Sequence, residues 1–163
     1  MLTLDDLVLR DLETGDAGWI IARHAELYRA EAGFDPTFEA LVAELMARFI
    51  RGRDPLRERA FIAVRGGQRI GSLLLTRETD DRAKIRLFLV EPEARGQGIG
   101  RRMLLAALAE ARARGYRSLG FWTFDTPRAA QALYLSAGFR LVTSHPAHSF
   151  GHDVVEQEWE TAL

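Results

Sequence analysis

The stretch Val90-Glu91-Pro92-Glu93-Ala94-Arg95-Gly96-Gln97-Gly98-Ile99-Gly100 lies between an apolar run that ends at Val90 and an amphipathic segment that begins near Arg101. A strand that enters a glycine-rich turn and then a helix leaves several backbone N–H groups without partners at the helix start. Glycine lets a ligand approach the backbone with no Cβ in the way, and the helix dipole adds partial positive charge at that end. Such a turn suits phosphate oxygens, above all the pyrophosphate of a nucleotide-derived cofactor.

Two common phosphate binders do not fit. No Lys-Ser or Lys-Thr pair follows the glycines, as an NTP-binding P-loop requires. The pattern Gly96-x-Gly98-x-Gly100 misses the third glycine spacing of the dinucleotide fingerprint. Leu119-Gly120-Phe121-Trp122 also stands where a ribose-binding acid would end the next strand.

Outward from the turn, Lys84 to Val90 reads as a strand. The segment after it places Ile99, Met103, Leu104, Ala107, Leu108 and Ala111 on one helical face and stops at Gly115. Arg117 to Thr123 is the next strand, Pro127 opens a short helix that closes around Ala137-Gly138, and two strands follow. In the last, Val155, Gln157, Trp159 and Leu163 alternate with Glu156, Glu158 and Glu160.

Upstream, Leu7 to Arg10 is a first strand, and a helix from about Asp16 to Glu31 carries His24 on its Ile20–Leu27 stripe. Asp35-Pro36 supplies an N-cap and a first-turn proline for a second helix, with apolar residues at Phe38, Leu41, Val42, Leu45 and Phe49. Gly66-Gly67 joins two strands as a hairpin. Hairpin strands followed by a strand–helix–strand unit predict an α/β chain. Its central sheet should be mixed, largely antiparallel and of about seven strands, flanked by about four helices.

The 163 residues predict one domain, residues 1–163, with 47% hydrophobic and 28% charged side chains as in ordinary globular proteins. A net charge of −1 argues against a dedicated nucleic-acid binder. No cysteine is present, which excludes a disulfide framework, a thiolate metal site and an acyl-enzyme on cysteine. His148 and His152 are four apart, but Gly151 and the strand context break the helix that this spacing would need and no carboxylate joins them at a usual spacing, so no metal is expected. No stretch has the length of a membrane span or the pattern of a signal peptide, and the expected location is cytoplasmic.

Val90-x-Pro92-x-x-Arg95-Gly96-x-Gly98-Ile99-Gly100 resembles the acyl-CoA-binding motif, Arg/Gln-x-x-Gly-x-Gly/Ala, of the GNAT acetyltransferases. Ala132-Leu133-Tyr134-x-x-Ala137-Gly138-Phe139 is similar to that family's later signature. His148-Ser149-Phe150-Gly151-His152-Asp153 and Gln157-x-Trp159-Glu160 resemble GNAT domains associated with MarR-type regulators.

The resemblance implies the GNAT fold, with the fourth and fifth strands splayed, and acetyl-CoA as cosubstrate. The backbone N–H groups of Gln97, Gly98 and Gly100 would anchor the pyrophosphate, with Arg95, Gly96, Ile99 and Arg101 lining the turn. The pantetheine arm would lie along Phe88-Leu89-Val90, where an N–H near Leu89 or Val90 would polarise the thioester carbonyl. Tyr134 matches the tyrosine that faces the cofactor sulfur. At an ordinary pKa of about 10 it would still hold its proton when a thiolate departs. In one departure from the family, Phe124, followed by Asp125, stands where many members place an asparagine.

The general base is left open among His24, Tyr28, Glu31, His148 and His152. The function implied is N-acetylation of a primary amine on a small molecule or peptide, with no nucleic-acid or membrane partner and a homodimer left open. The alternative is an acyl-CoA-binding sensor without turnover.

Overall fold

A computed structural model describes residues 1–124 and 127–163. Its strands are β1 (Leu7–Arg10), β2 (Arg59–Arg65), β3 (Gln68–Arg77), β4 (Arg82–Val90), β5 (Ser118–Phe124), β6 (Arg140–Ser149) and β7 (His152–Ala162). They form one seven-stranded sheet in the order β1-β2-β3-β4-β5-β7-β6. Every neighbouring pair is antiparallel except β4–β5, which is parallel. The helices are α1 (Asp16–Ala32), α2 (Pro36–Gly52), α3 (Ile99–Ala113) and α4 (Arg128–Ser136). The mixed sheet and four helices agree with the sequence reading.

Alternation along the strands divides the core in two. Leu73 and Leu75 of β3, with Ala83 and Ile85 of β4, meet Met103, Leu104 and Ala107 of α3. Leu74, Ala60 and Ile62 face the other way, onto Ile20 of α1 and Phe38, Val42, Met46 and Phe49 of α2. Asp35 caps α2 as expected, its carboxylate accepting from the Thr37 N–H at 2.9 Å. The expected α2 stripe needs one correction. Met46 is buried in the core, whereas Leu41 and Leu45 are half-buried and line a cavity.

α1 is held to the sheet by Asp16, which is fully buried. Its carboxylate accepts from Arg10 at 2.6 Å, from Arg69 at 2.7 Å and from the Glu13 N–H at 2.7 Å. Burial alone would raise the pKa of this carboxyl, but the donors from Arg10, Glu13 and Arg69 overrule it and hold it below its ordinary value.

The sheet opens in one place. β4 and β5 pair only from Arg82↔Ser118 to Ile85↔Phe121, although β4 runs on to Val90 and β5 to Phe124. On its other side β4 is bulged, because Ser72 pairs Leu89 while Leu74 already pairs Arg86. Leu87 takes the strain with a φ of 51°, a conformation that costs an L-residue roughly 1–2 kcal/mol. The buried Ser72 hydroxyl donates to the Leu87 carbonyl at 2.8 Å and fixes the bulge. Bulges re-aim side chains, and here the bend separates the ends of β4 and β5. No described helix is long and apolar enough to cross a membrane.

Candidate active site

The glycine turn lies at the wide end of the split. Gly96 and Gly98 have φ values of 74° and 82°, open to glycine without penalty, and Gly98 precedes α3 with no side-chain cap. Among the described residues no acceptor meets the backbone N–H of Gln97, Gly98, Ile99 or Gly100. A Cβ on Gly100 would lie 3.4 Å from Leu133 and 3.7 Å from Phe88 and Val90, so its absence keeps open the passage between β4 and α4.

The side chains around the turn brace it. Arg95 donates to the Val90 carbonyl at 3.0 Å and pairs with Glu31 at 2.8 Å, so its cation is already matched. Gln97 accepts from Arg65 at 2.8 Å and donates to the Glu93 carbonyl at 3.0 Å. Arg23 grips both oxygens of Glu91, at 2.6 and 2.7 Å, tying α1 to the end of β4. Arg101 is exposed. The free donors of the turn are thus mainly backbone.

A cavity of about 440 Å³ runs through the split. Ile85, Phe88, Phe121 and Tyr134 line it on the α3–α4 side. Tyr28, Phe38, Leu87 and Phe124 belong to the α1–α2 side, with Leu41 and Leu45. Its charged wall is Lys84 and Arg86 of β4, and among the described residues no carboxylate lines it. These two cations alternate with Ile85 in the sequence, a pattern that reads as a solvated strand face. Their place in the cavity went unrecognised for that reason.

The Tyr134 ring packs edge-on against Phe121 at 4.5 Å and Trp159 at 5.4 Å, yet its hydroxyl has no hydrogen-bond partner among the described residues. Burial pushes the phenol well above its ordinary pKa. The expectation of an ordinary pKa is therefore corrected: the phenol is firmly protonated but is a weaker acid.

Of the five candidate bases, only His24 and Tyr28 line the cavity. Glu31 pairs with Arg95. His148 is 69% exposed and pairs with Asp153 at 2.8 Å, and His152 is exposed against the Gly33 turn. His24 is 2% exposed. Its Nδ1 lies 2.8 Å from the Ile20 carbonyl, which can only accept, so Nδ1 carries the hydrogen. Nε2 keeps its lone pair and has no partner. Burial lowers the pKa of the ring to about 4, leaving it neutral at pH 7.

Phe124 packs edge-on against Phe34 at 5.2 Å and Phe150 at 5.7 Å. Where the family often has an amide, this chain has part of an aromatic wall. Asp125 lies outside the described residues. Phe150, at the β6–β7 hairpin tip, also packs at an angle on Phe34 and edge-on against Phe38, so the tip covers one end of the α1–α2 side.

A mixed sheet split between its parallel pair, with a glycine turn at the head of the next helix, defines an acyltransferase-type fold. Residues 22–139 match the model of the Acetyltransferase (GNAT) family, and the chain belongs to that family of acetyltransferases. No curated protein matches it. Among solved structures it is similar to a GCN5-related N-acetyltransferase from Kribbella flavida. That pair has 25% identity over 98% of this chain and 99% of the other, with a TM-score of 0.76. A GNAT family acetyltransferase from Elizabethkingia anophelis, solved with acetyl-CoA bound, shares the fold at 17% identity over 98% and 99% of the chains, TM-score 0.69. So does a spermidine N-acetyltransferase chimera from Vibrio cholerae and hSSAT, at 21% identity over 96% and 95%, TM-score 0.69.

Proposed function

We infer that this chain, as a single domain, uses acetyl-CoA to acetylate a primary amine by direct transfer. The observation that carries this reading is the split between β4 and β5. It opens beside a row of backbone donors with no partner among the described residues on one side and into a ligand-sized cavity on the other. The unpaired N–H groups of Gln97, Gly98, Ile99 and Gly100 suit a pyrophosphate. The β4 edge from Arg86 to Val90, unpaired on its β5 side, suits an extended pantetheine arm along Phe88-Leu89-Val90. The same fold holding acetyl-CoA in the Elizabethkingia protein supports the assignment. Arg95 and Gln97 take a bracing part here rather than contacting phosphate through their side chains.

The thioester supplies an activated acetyl carbon. The amine nitrogen bonds to that carbon as the C–S bond breaks, and the electron pair leaves with sulfur. Tyr134 donates its phenolic proton to that sulfur, and the surplus proton of the amine returns to the Tyr134 oxygen through water. With no cysteine in the chain, a thiol acyl-enzyme has no nucleophile. We place the activity in the cytoplasm, with no nucleic-acid or membrane partner, and read the His148–Asp153 block as marking the branch of the family associated with MarR-type regulators. Thiol release from acetyl-CoA across a panel of primary amines tests the reading. Amine-dependent release supports it, and tight binding without release from any amine would make the chain an acyl-CoA sensor.

A further inference from the structure

The α1–α2 half of the cavity has a charge pattern that selects among amines. Its walls are apolar, from Leu41 and Leu45 to Phe124. Two cations line it and, among the described residues, no carboxylate does. Lys84 is already paired with Glu78 at 3.6 Å. Arg86 is different: among the described residues its guanidinium has neither an ion pair nor a hydrogen bond, although it is half-buried. Burial lowers its pKa, Glu78 opposes this from beyond ion-pair distance, and Arg48 adds to the lowering. An unmatched guanidinium in such surroundings gains from a planar anion that meets its fork of donors.

A second unmatched group lines the same cavity. The Nε2 atom of His24 is an acceptor with no donor, in a ring that is almost wholly buried. That atom has almost no surface open to the cavity, so it is a costly unmatched acceptor within the wall and not an anchor for a ligand. The cavity therefore offers a donor-only anchor and an apolar wall. Its volume of about 440 Å³ lies within the range for small-molecule sites. A polyamine would bring further positive charge to a wall that is already positive.

We propose that the acceptor is an apolar amino carboxylic acid, its carboxylate paired with Arg86. This rests on the transferase reading above and names its substrate class. Arg86 is then the determinant of specificity.

The test compares matched pairs in thiol release: leucine with isoamylamine, phenylalanine with phenethylamine, and ε-aminocaproate with hexylamine, with spermidine alongside. In the native protein at least one acid is preferred over its decarboxylated partner by at least tenfold in kcat/KM. Arg86→Met keeps the stem and removes the charge. It abolishes the preference mainly by raising KM for the acid and leaves the plain amine within about twofold, since the lost interaction is one of binding. Arg86→Gln serves if the methionine variant does not fold.

Preference for the plain amines or spermidine would overturn the proposal, as would an Arg86 variant that slows both members of a pair alike. If no amine is turned over, the transferase reading fails. The subsite is then tested on its own by the melting temperature with CoA and each acid. Stabilisation by an acid that is lost in the Arg86 variant upholds the subsite, and no stabilisation by any of the acids overturns it.

Discussion

The Nδ1–H of His24 donates to the carbonyl of Ile20, one helical turn back, at 2.8 Å. This bond fixes the tautomer and leaves Nε2 as a bare acceptor buried within a ring that lines the cavity.

The same burial makes His24 a source of acid sensitivity. Its folded pKa of about 4 lies below the ordinary value of 6.5, so between those values the unfolded chain binds the extra proton. Stability then falls as pH drops through that window, by roughly 3 kcal/mol in total if the whole shift is realised. His24→Asn keeps a donor for Ile20 and removes the titrating group. Melting curves from pH 7 to pH 4.5 should fall more steeply for the native protein than for the variant, and parallel curves would show that His24 does not titrate in this way.

The glycine turn gives a second prediction. Gly98 is in the left-handed region, which asparagine and aspartate tolerate better than other side chains. Gly98→Asn therefore measures the steric effect, and Gly98→Asp adds a negative charge of almost the same shape. If phosphates sit on the free N–H groups, calorimetric titration should show the aspartate variant binding CoA at least ~10-fold more weakly than the asparagine variant, from like-charge repulsion. Equal affinities would place the phosphates elsewhere.

Tyr134→Phe removes a hydroxyl with no partner among the described residues and keeps a ring that packs on Phe121 and Trp159. The melting temperature should change little. Turnover should fall by about 10²-fold, the low end for a positioned acid, because the raised pKa weakens the phenol as a donor. Affinity for acetyl-CoA should hold. Native turnover in the variant would make Tyr134 a packing residue only.

Asp16→Asn should act on stability rather than on cofactor binding. It leaves Arg10 and Arg69 without the buried anion they share, though both arginines keep some contact with solvent. With that discount the loss is about 2 kcal/mol, a fall of roughly 5 °C in melting temperature for a chain of this size. A smaller change would mean that the arginines find other partners.

How far the sequence foretold this arrangement depends on whether a signal was local. The strand–turn–helix around Gly96–Gly100, the Asp35 cap and the left-handed Gly33 are written in adjacent residues, and each appears in the structure. The split between β4 and β5 came from the family resemblance, and the strand pairing shows it. The acceptor side was not legible. Helical periodicity alone does not separate Leu45, which lines the cavity, from Met46, which fills the core, because both lie near the apolar face. Arg86 enters the cavity beside a bulge at Leu87, and a bulge leaves no mark in the pattern of a single strand. His24 could be placed on a buried stripe, but its free nitrogen depends on the backbone of its own helix and on what lies opposite.

In the proposed function, acetyl passes directly between two molecules held together on opposite sides of the β4–β5 split. Initial velocities with acetyl-CoA and an accepted amine both varied put this to the test. Intersecting double-reciprocal lines are expected, with one acetylated amine formed for each thiol released. Parallel lines, the mark of a covalent acetyl-protein, or thiol release without amine acetylation would contradict it.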